Sequence, residues 1–174
     1  MESRLRIVHY PEPVLLSVAK PVSDSEFGNG LQAFSKEMFA AMAEAGGVGL
    51  AAPQVGKSKR LFVMDIPEGD DTPALVATLI NPEILHVEGE QTGDEGCLSF
   101  PGIFQPVKRQ MRVIARAFDA AGKEFELDAT GLAARCILHE TDHLDGIVFL
   151  DRMSRLKRDL AKRKIKRLQK RGEW

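Results

Sequence analysis

The feature that most restricts what this chain can become is a pair of histidines four residues apart. His139 and His143 flank Glu140 in the run His-Glu-Thr-Asp-His. On a helix, positions i and i+4 stand one above the other on one face, so both imidazoles can point at the same ion. Glu140, beside the first histidine, is placed to take a proton from a metal-bound water. The competing reading is an amphipathic helix with two surface histidines. The neighbours Leu138, Leu144, Ile147 and Val148 are apolar, which puts the segment inside the protein. Buried histidines need partners, and a metal supplies one for both.

With 174 residues, 44% of them apolar and 28% charged, the chain has material for one domain, 1–174, with its own core. The opening Met-Glu-Ser-Arg-Leu-Arg leads into no apolar segment, and no apolar run reaches membrane-spanning length. A cytoplasmic protein is expected. Cys97 and Cys136 are the two cysteines, and nothing secretory favours a bridge between them. Cys136, three residues before His139, reads as a small core residue. Charge is distributed unevenly. Residues 152–174 hold 11 Lys and Arg against Asp159 and Glu173, a net +9, while the rest of the chain carries −10. A basic extension on an acidic body points to a polyanionic partner, with a merely solvated helical tail as the alternative.

Taken in order, residues 4–16 begin extended and are interrupted by Pro11 and Pro13, and His9 reads as structural or exposed. Leu31, Phe34, Met38, Ala41, Met42 and Ala45 form an i, i+3, i+4 stripe that predicts a helix over 29–45, capped by Asn29 or Ser25 and ended by Gly46 and Gly47. Residues 47–56 are rich in Gly and Ala around the single amide of Gln54. They lack a phosphate loop's ending and suggest a backbone that a ligand approaches closely. Strands are predicted at 60–66, 74–80 and 83–87, with 68–73 as the loop between the first two. Alternation at 111–118 and 124–128 around Asp119-Ala-Ala-Gly122 predicts a hairpin with Phe125 and Leu127 inward. A helix starting near Thr130 carries the histidines, and a last one runs over 153–170. The class is α+β: mostly antiparallel sheets packed around a buried metal-binding helix, with a C-terminal helix.

A catalytic metal of this type has three protein ligands and one open position. The pattern His-Glu-x-x-His-x-x-Gly-x-x-His matches as far as Gly146, but its third histidine would fall on Phe149. Downstream, Glu173 is remote and Asp151 follows too soon after Gly146. The upstream candidates are Cys97, in Glu-Gly-Cys-Leu-Ser over 95–99, and His86, which reads as a strand-surface residue. Gly96 and Pro101-Gly102 mark a constrained turn that can present the Cys97 thiolate, the stronger of the two.

Three runs together resemble the peptide deformylase family: Gly-x-Gly-Leu-Ala-Ala-Pro-Gln (47–54), Glu-Gly-Cys-Leu-Ser (95–99) and His-Glu-x-Asp-His-Leu-x-Gly (139–146). Leu-Ile-Asn-Pro at 79–82 and the early Pro-x-Pro-Val-Leu are also similar, so the likeness covers nearly the whole chain. Departures are Leu138 where many members have Gln, Leu16 where many have Arg, and a freely varying 100–107 beside the substrate groove. These bear on substrate preference and inhibitor fit, not on the reaction.

The resemblance implies a metal-dependent hydrolase that removes the formyl group from the N-terminal formyl-methionine of nascent polypeptides and releases formate. Cys97, His139 and His143 are the implied metal ligands, and Fe(II) the implied ion, with Zn, Ni or Co possible in purified samples. Glu140 is the implied general base and acid for attack by metal-bound water on the formyl carbon. The Gln54 side chain and the Leu98 backbone N–H are the implied oxyanion donors. Substrate would lie along the 47–49 backbone as an added strand. Val48, Gly49, Glu95, Gly96 and Cys136 are expected to contact it, with Val48, Cys136 and part of His139 around the methionine side chain.

Met153, Leu156 and Leu160 share a helical face that is expected to dock on the body. Ala161, Ile165 and Leu168 fall on a displaced face with Lys164 interrupting the seam, so the second half is expected to project. For bacterial members the resemblance implies ribosome contact near the exit tunnel through this helix. Two rival readings stand beside deformylation. A general metalloprotease or amidase would share the metal helix but not Cys97, and a non-catalytic ribosome-associated metal-binding paralogue would need neither Glu140 nor Gln54.

Overall fold

The structure, a computed structural model, describes residues 5–69 and 73–174. The reading of the first few residues, and the middle of the loop expected over 68–73, lie outside them. Helix α1 (Asn29–Glu44) buries Leu31, Met38, Ala41 and Met42, the stripe that its spacing predicts. Its N-cap is Gly28 with no side-chain cap, not Asn29 or Ser25. Just upstream, Ser23 and Glu26 cap each other around a short 3-10 turn, and the Ser25 hydroxyl pairs with that of Ser23.

Five antiparallel strands form the main sheet in the order β1 (Gly49–Ala51), β2 (Leu61–Ile66), β3 (Leu75–Glu88), β6 (Arg112–Phe118) and β7 (Glu124–Thr130). β2 is buried on both faces, with only Asp65 exposed, because α1 covers one side and the histidine helix the other. β3 merges the two strands expected at 74–80 and 83–87. Asn81, at φ 49, and register shifts on either side of Ile84 carry the chain through Asn81-Pro82 as bulges instead of a turn. The Asn81 side chain holds that bend by bonding both the N–H and the C=O of Val22, at 2.9 and 2.8 Å. β6 and β7 form the expected hairpin.

A second, two-stranded sheet, β4 (Gln91–Glu95) and β5 (Gln105–Arg109), is absent from the sequence reading. Val107 is the one apolar residue it buries in the core, so no apolar alternation marks its strands. Helix α2 (Gly131–Leu144) starts after Thr130 and lies on the main sheet. Ala133, Ala134 and Ile137 join Phe62, Met64, Val113 and Ala115 in one core. Gly146 follows at φ 71, and a Cβ there would sit 2.9 Å from the Ser17 backbone, so only glycine closes the turn against that segment.

Helix α3 (Arg155–Arg171) corrects an expectation. Its buried residues are Ala161 and Ile165, packed with Phe100, Phe149 and Met153, whereas Leu156 and Leu160 are 70% and 53% exposed. The second half docks and the first half shows its leucines to solvent. Spacing alone gave two candidate faces. The preceding 3-10 turn Phe149–Arg152 buries Phe149 and Leu150 in the same core as Ala161 and Ile165, and that core takes the second of the two faces.

Candidate metal centre

Three elements meet at the histidine face of α2. The turn after β4 carries Cys97, β1 and the 3-10 turn Ala52–Val55 carry Gln54, and α2 carries His139, Glu140 and His143. One ligand atom from each of Cys97, His139 and His143 lies within 4.8 Å of the other two. The Cys97 Sγ is 3.3 Å from His143 Nε2, and both cysteines are free thiols. Phe149, where a third histidine would stand in the downstream pattern, is buried with its ring 6.1 Å from that of His139. His86 is a surface residue of β3 bonded to Glu88 at 3.3 Å.

Glu140 is buried, and its Oε2 has no hydrogen-bond partner. Burial pushes its pKa up to about 7, against the pull of His139 and with the push of Glu95. Gln54 is locked: the Ala51 N–H donates to its Oε1 at 2.9 Å, which turns its NH₂ toward Cys97 Sγ at 3.4 Å and Ser99 Oγ at 3.3 Å. Gly49 faces this cluster. A Cβ on it would fall 2.5 Å from Glu140 Oε1 and 2.7 Å from Cys136 Sγ, so the β1 backbone and the Glu140 carboxylate can approach only because the side chain is absent.

Behind the ligands lies a buried ionic network. Glu95 bonds His139 Nδ1 at 2.8 Å, Arg109 at 2.8 and 3.0 Å and Arg135 at 2.9 Å. Arg109 reaches on to Asp142 at 2.6 Å, and Arg152 grips the same carboxylate at 3.0 and 2.6 Å. Burial would raise the Glu95 pKa, but the bonds from His139 and Arg109 overcome it and hold the carboxyl well below its usual range. Burial likewise opposes a charged His139, yet the Cys97 sulfur and Glu95 raise its pKa well above the ordinary value. For His143, burial and then the neighbouring His139 lower the pKa, and the Cys136 thiol is raised by burial and by Glu140.

This donor set fits a divalent transition ion. One sulfur and two imidazoles match such ions in softness, and the anionic groups around His139 favour positive charge at that spot. A carboxylate on the far nitrogen of a histidine is the usual means of orienting a metal-binding imidazole.

The cluster opens into a groove of about 610 Å³ whose walls include Val48, Leu98, Phe104 and Leu132. All eleven residues singled out from the sequence are brought together. Gln54, Glu95, Gly96, Cys97, Leu98, Cys136, His139 and Glu140 line the groove with Val48 and Gly49, and Gln54 and Leu98 flank the cysteine. His143 stands behind them.

A family model described as polypeptide deformylase matches residues 4–159. The chain belongs to the polypeptide deformylase family. It is 49% identical over 168 residues to the peptide deformylase of Acidobacterium capsulatum, covering 97% of each chain. The crystal structure of a deformylase from Legionella pneumophila matches with a TM-score of 0.84 at 45% identity, over 96% of this chain and 98% of that one. A deformylase from Ehrlichia chaffeensis in complex with actinonin gives 0.85 at 37% identity, over 96% of this chain and 98% of that one.

Sequence reasoning missed the ionic residues behind the deformylase cluster: Arg109, Arg135, Asp142 and Arg152. One signal was available. Arg135 sits in an otherwise apolar helical stretch, and a cation there requires a buried partner. His9, read as structural or exposed, also lines the groove.

Proposed function

We propose that this chain works as one catalytic unit, hydrolysing the formyl group from the N-terminal formyl-methionine of newly made polypeptides, with Cys97, His139 and His143 holding a divalent ion. The observation that carries the reading is the convergence of Glu140, whose Oε2 has no hydrogen-bond partner, and the locked Gln54 amide on the Cys97, His139 and His143 cluster. When bound, the ion supplies Lewis acidity and brings the pKa of a water it holds from ~16 towards ~7. The other roles belong to the chain's own groups. Glu140 takes up the proton of the attacking water at Oε2 and hands it to the departing amine. The Gln54 NH₂ and the Leu98 N–H donate to the oxygen that gains charge. Substrate backbone lies along β1, with Val48, Gly49, Glu95, Gly96 and Cys136 around it.

Fe(II) is the proposed ion. One thiolate and two imidazoles also accept Zn, Ni and Co, so anaerobically prepared protein should be analysed for metal together with its activity. The proposed setting is the cytoplasm, where nascent chains carry the formyl group. Among the described residues no helix is long and apolar enough to cross a membrane. The exposed basic side of α3 supports a contact with ribosomal RNA.

Formate release from formyl-Met-Ala-Ser tests the reaction. Wild type should release it, and Glu140→Ala should release almost none while keeping its metal. Cleavage of internal peptide bonds instead would favour a general metalloprotease. Release unaffected by Glu140→Ala would remove Glu140 from its role.

A further inference from the structure

Helix α3 and the residues after it do more than form a basic extension: they touch two residues of the groove wall, Gly102 and Phe100. Lys164, which interrupts the apolar seam of the helix, donates to the Gly102 carbonyl at 2.8 Å. Trp174, beyond the end of α3, donates its indole N–H to the Tyr10 carbonyl. Its ring stands edge-on to Phe100 at 6.2 Å and to His9 at 5.8 Å. Tyr10 in turn stacks on Phe100 at 5.0 Å, and its N–H donates to Ser99 at 3.0 Å. His9, Phe100, Pro101, Gly102 and Phe104 all line the groove.

The wall segment 100–104 is the second part of the 96–104 connection between β4 and β5, with Gly102 at φ 70. On its groove side Phe104 is 67% exposed and its ring covers Gly96, where a Cβ would lie 2.4 Å away. A short glycine-containing turn with an exposed aromatic on one side owes its position to what stands behind it. Phe100 and Ile103 anchor it in the core, with Phe100 against Phe149 at 5.1 Å, and α3 and the residues after it add a lysine on the Gly102 carbonyl and an indole against the Phe100 ring.

We propose that Lys164 and Trp174 are positioning residues for the substrate groove: they hold the 100–104 wall at the distance that substrate binding requires. Neither lines the groove. The inference rests on the deformylase reading only for the identity of the substrate.

The test uses the full, metal-loaded chain. With formyl-Met-Ala-Ser, Lys164→Met and Trp174→Ala should each raise KM at least 3-fold, and the double variant about 10-fold, with kcat within 2-fold of wild type. Lys164→Arg, which keeps a donor for Gly102, should stay within 2-fold in both constants. A purely structural role would lower the melting temperature without this split between KM and kcat. Trp174 is the only tryptophan in the sequence, so its emission gives a second readout. It should shift on titration with actinonin, and Lys164→Met should weaken the midpoint. Unchanged KM in the double variant together with an unchanged actinonin midpoint in Lys164→Met overturns the proposal and leaves deformylation standing. Absence of formate from wild type, with an actinonin response that Lys164→Met weakens, overturns deformylation and supports the clamp.

Discussion

At the scale of single residues, Glu140 links stability to chemistry. Its folded pKa of about 7 lies above the ordinary 4.5. Between those values the unfolded chain gives up the proton first, so the folded state loses stability as pH rises and the loss is complete above about 7. In chelator-treated protein, Glu140→Gln should therefore be more stable than wild type by ~3 kcal/mol above neutrality, a gap that closes below pH 4.5. Urea melts at pH 4, 6 and 8 would measure it. Gly49 makes a sharper geometric demand. A methyl 2.5 Å from Glu140 Oε1 must push the carboxylate aside, and a displacement near 1 Å costs about 10²-fold in rate. Gly49→Ala should lose that much formate release while keeping its metal content. Glu95→Gln keeps the shape but removes the charge that orients His139, and metal affinity measured by chelator competition should fall about 10- to 100-fold.

Among the elements, α3 offers the cleanest contrast. Ile165 is 2% exposed and Leu160 53% exposed on the same helix. Ile165→Ala should cost about 2–4 kcal/mol in a denaturant melt, and Leu160→Ala no more than ~0.5 kcal/mol. The reverse ranking would mean that the first half docks, as helical spacing by itself suggests. The hairpin of β4 and β5 shows why polar elements escape a reading based on periodicity. Residues 91–95 carry no apolar alternation, yet they pair in register with 105–109 and deliver Glu95 and Arg109 to the buried network.

Across the whole molecule, the division between an acidic body and a basic helix acquires a geometry. Because Ala161 and Ile165 face inward, Arg163, Lys166, Arg167 and Lys170 face out, and all four are exposed. Replacing these four with glutamine should weaken ribosome co-sedimentation at low salt. It should also flatten the dependence of log affinity on log salt by about 3. Formate release from a short peptide should not change. If co-sedimentation is unaltered, the helix is a solvated surface and not an RNA contact.

The metal helix, its pair of imidazoles and the adjacent carboxylate were legible in five consecutive residues, because helical geometry alone brings i and i+4 together. Elimination along the chain made Cys97 the strongest third candidate, and the three runs 47–54, 95–99 and 139–146 carried the family resemblance. The α+β class followed from periodicity in the apolar elements. Only the tertiary structure decided which face of α3 is buried, that two predicted strands are one bulged strand, and that Asp142 joins Arg109 and Arg152 behind the histidines. These outcomes depend on contacts between residues far apart in sequence, such as Glu95 with His139 and Lys164 with Gly102. No local spacing encodes such contacts, whereas a ligand pair on one helical turn is encoded entirely by spacing.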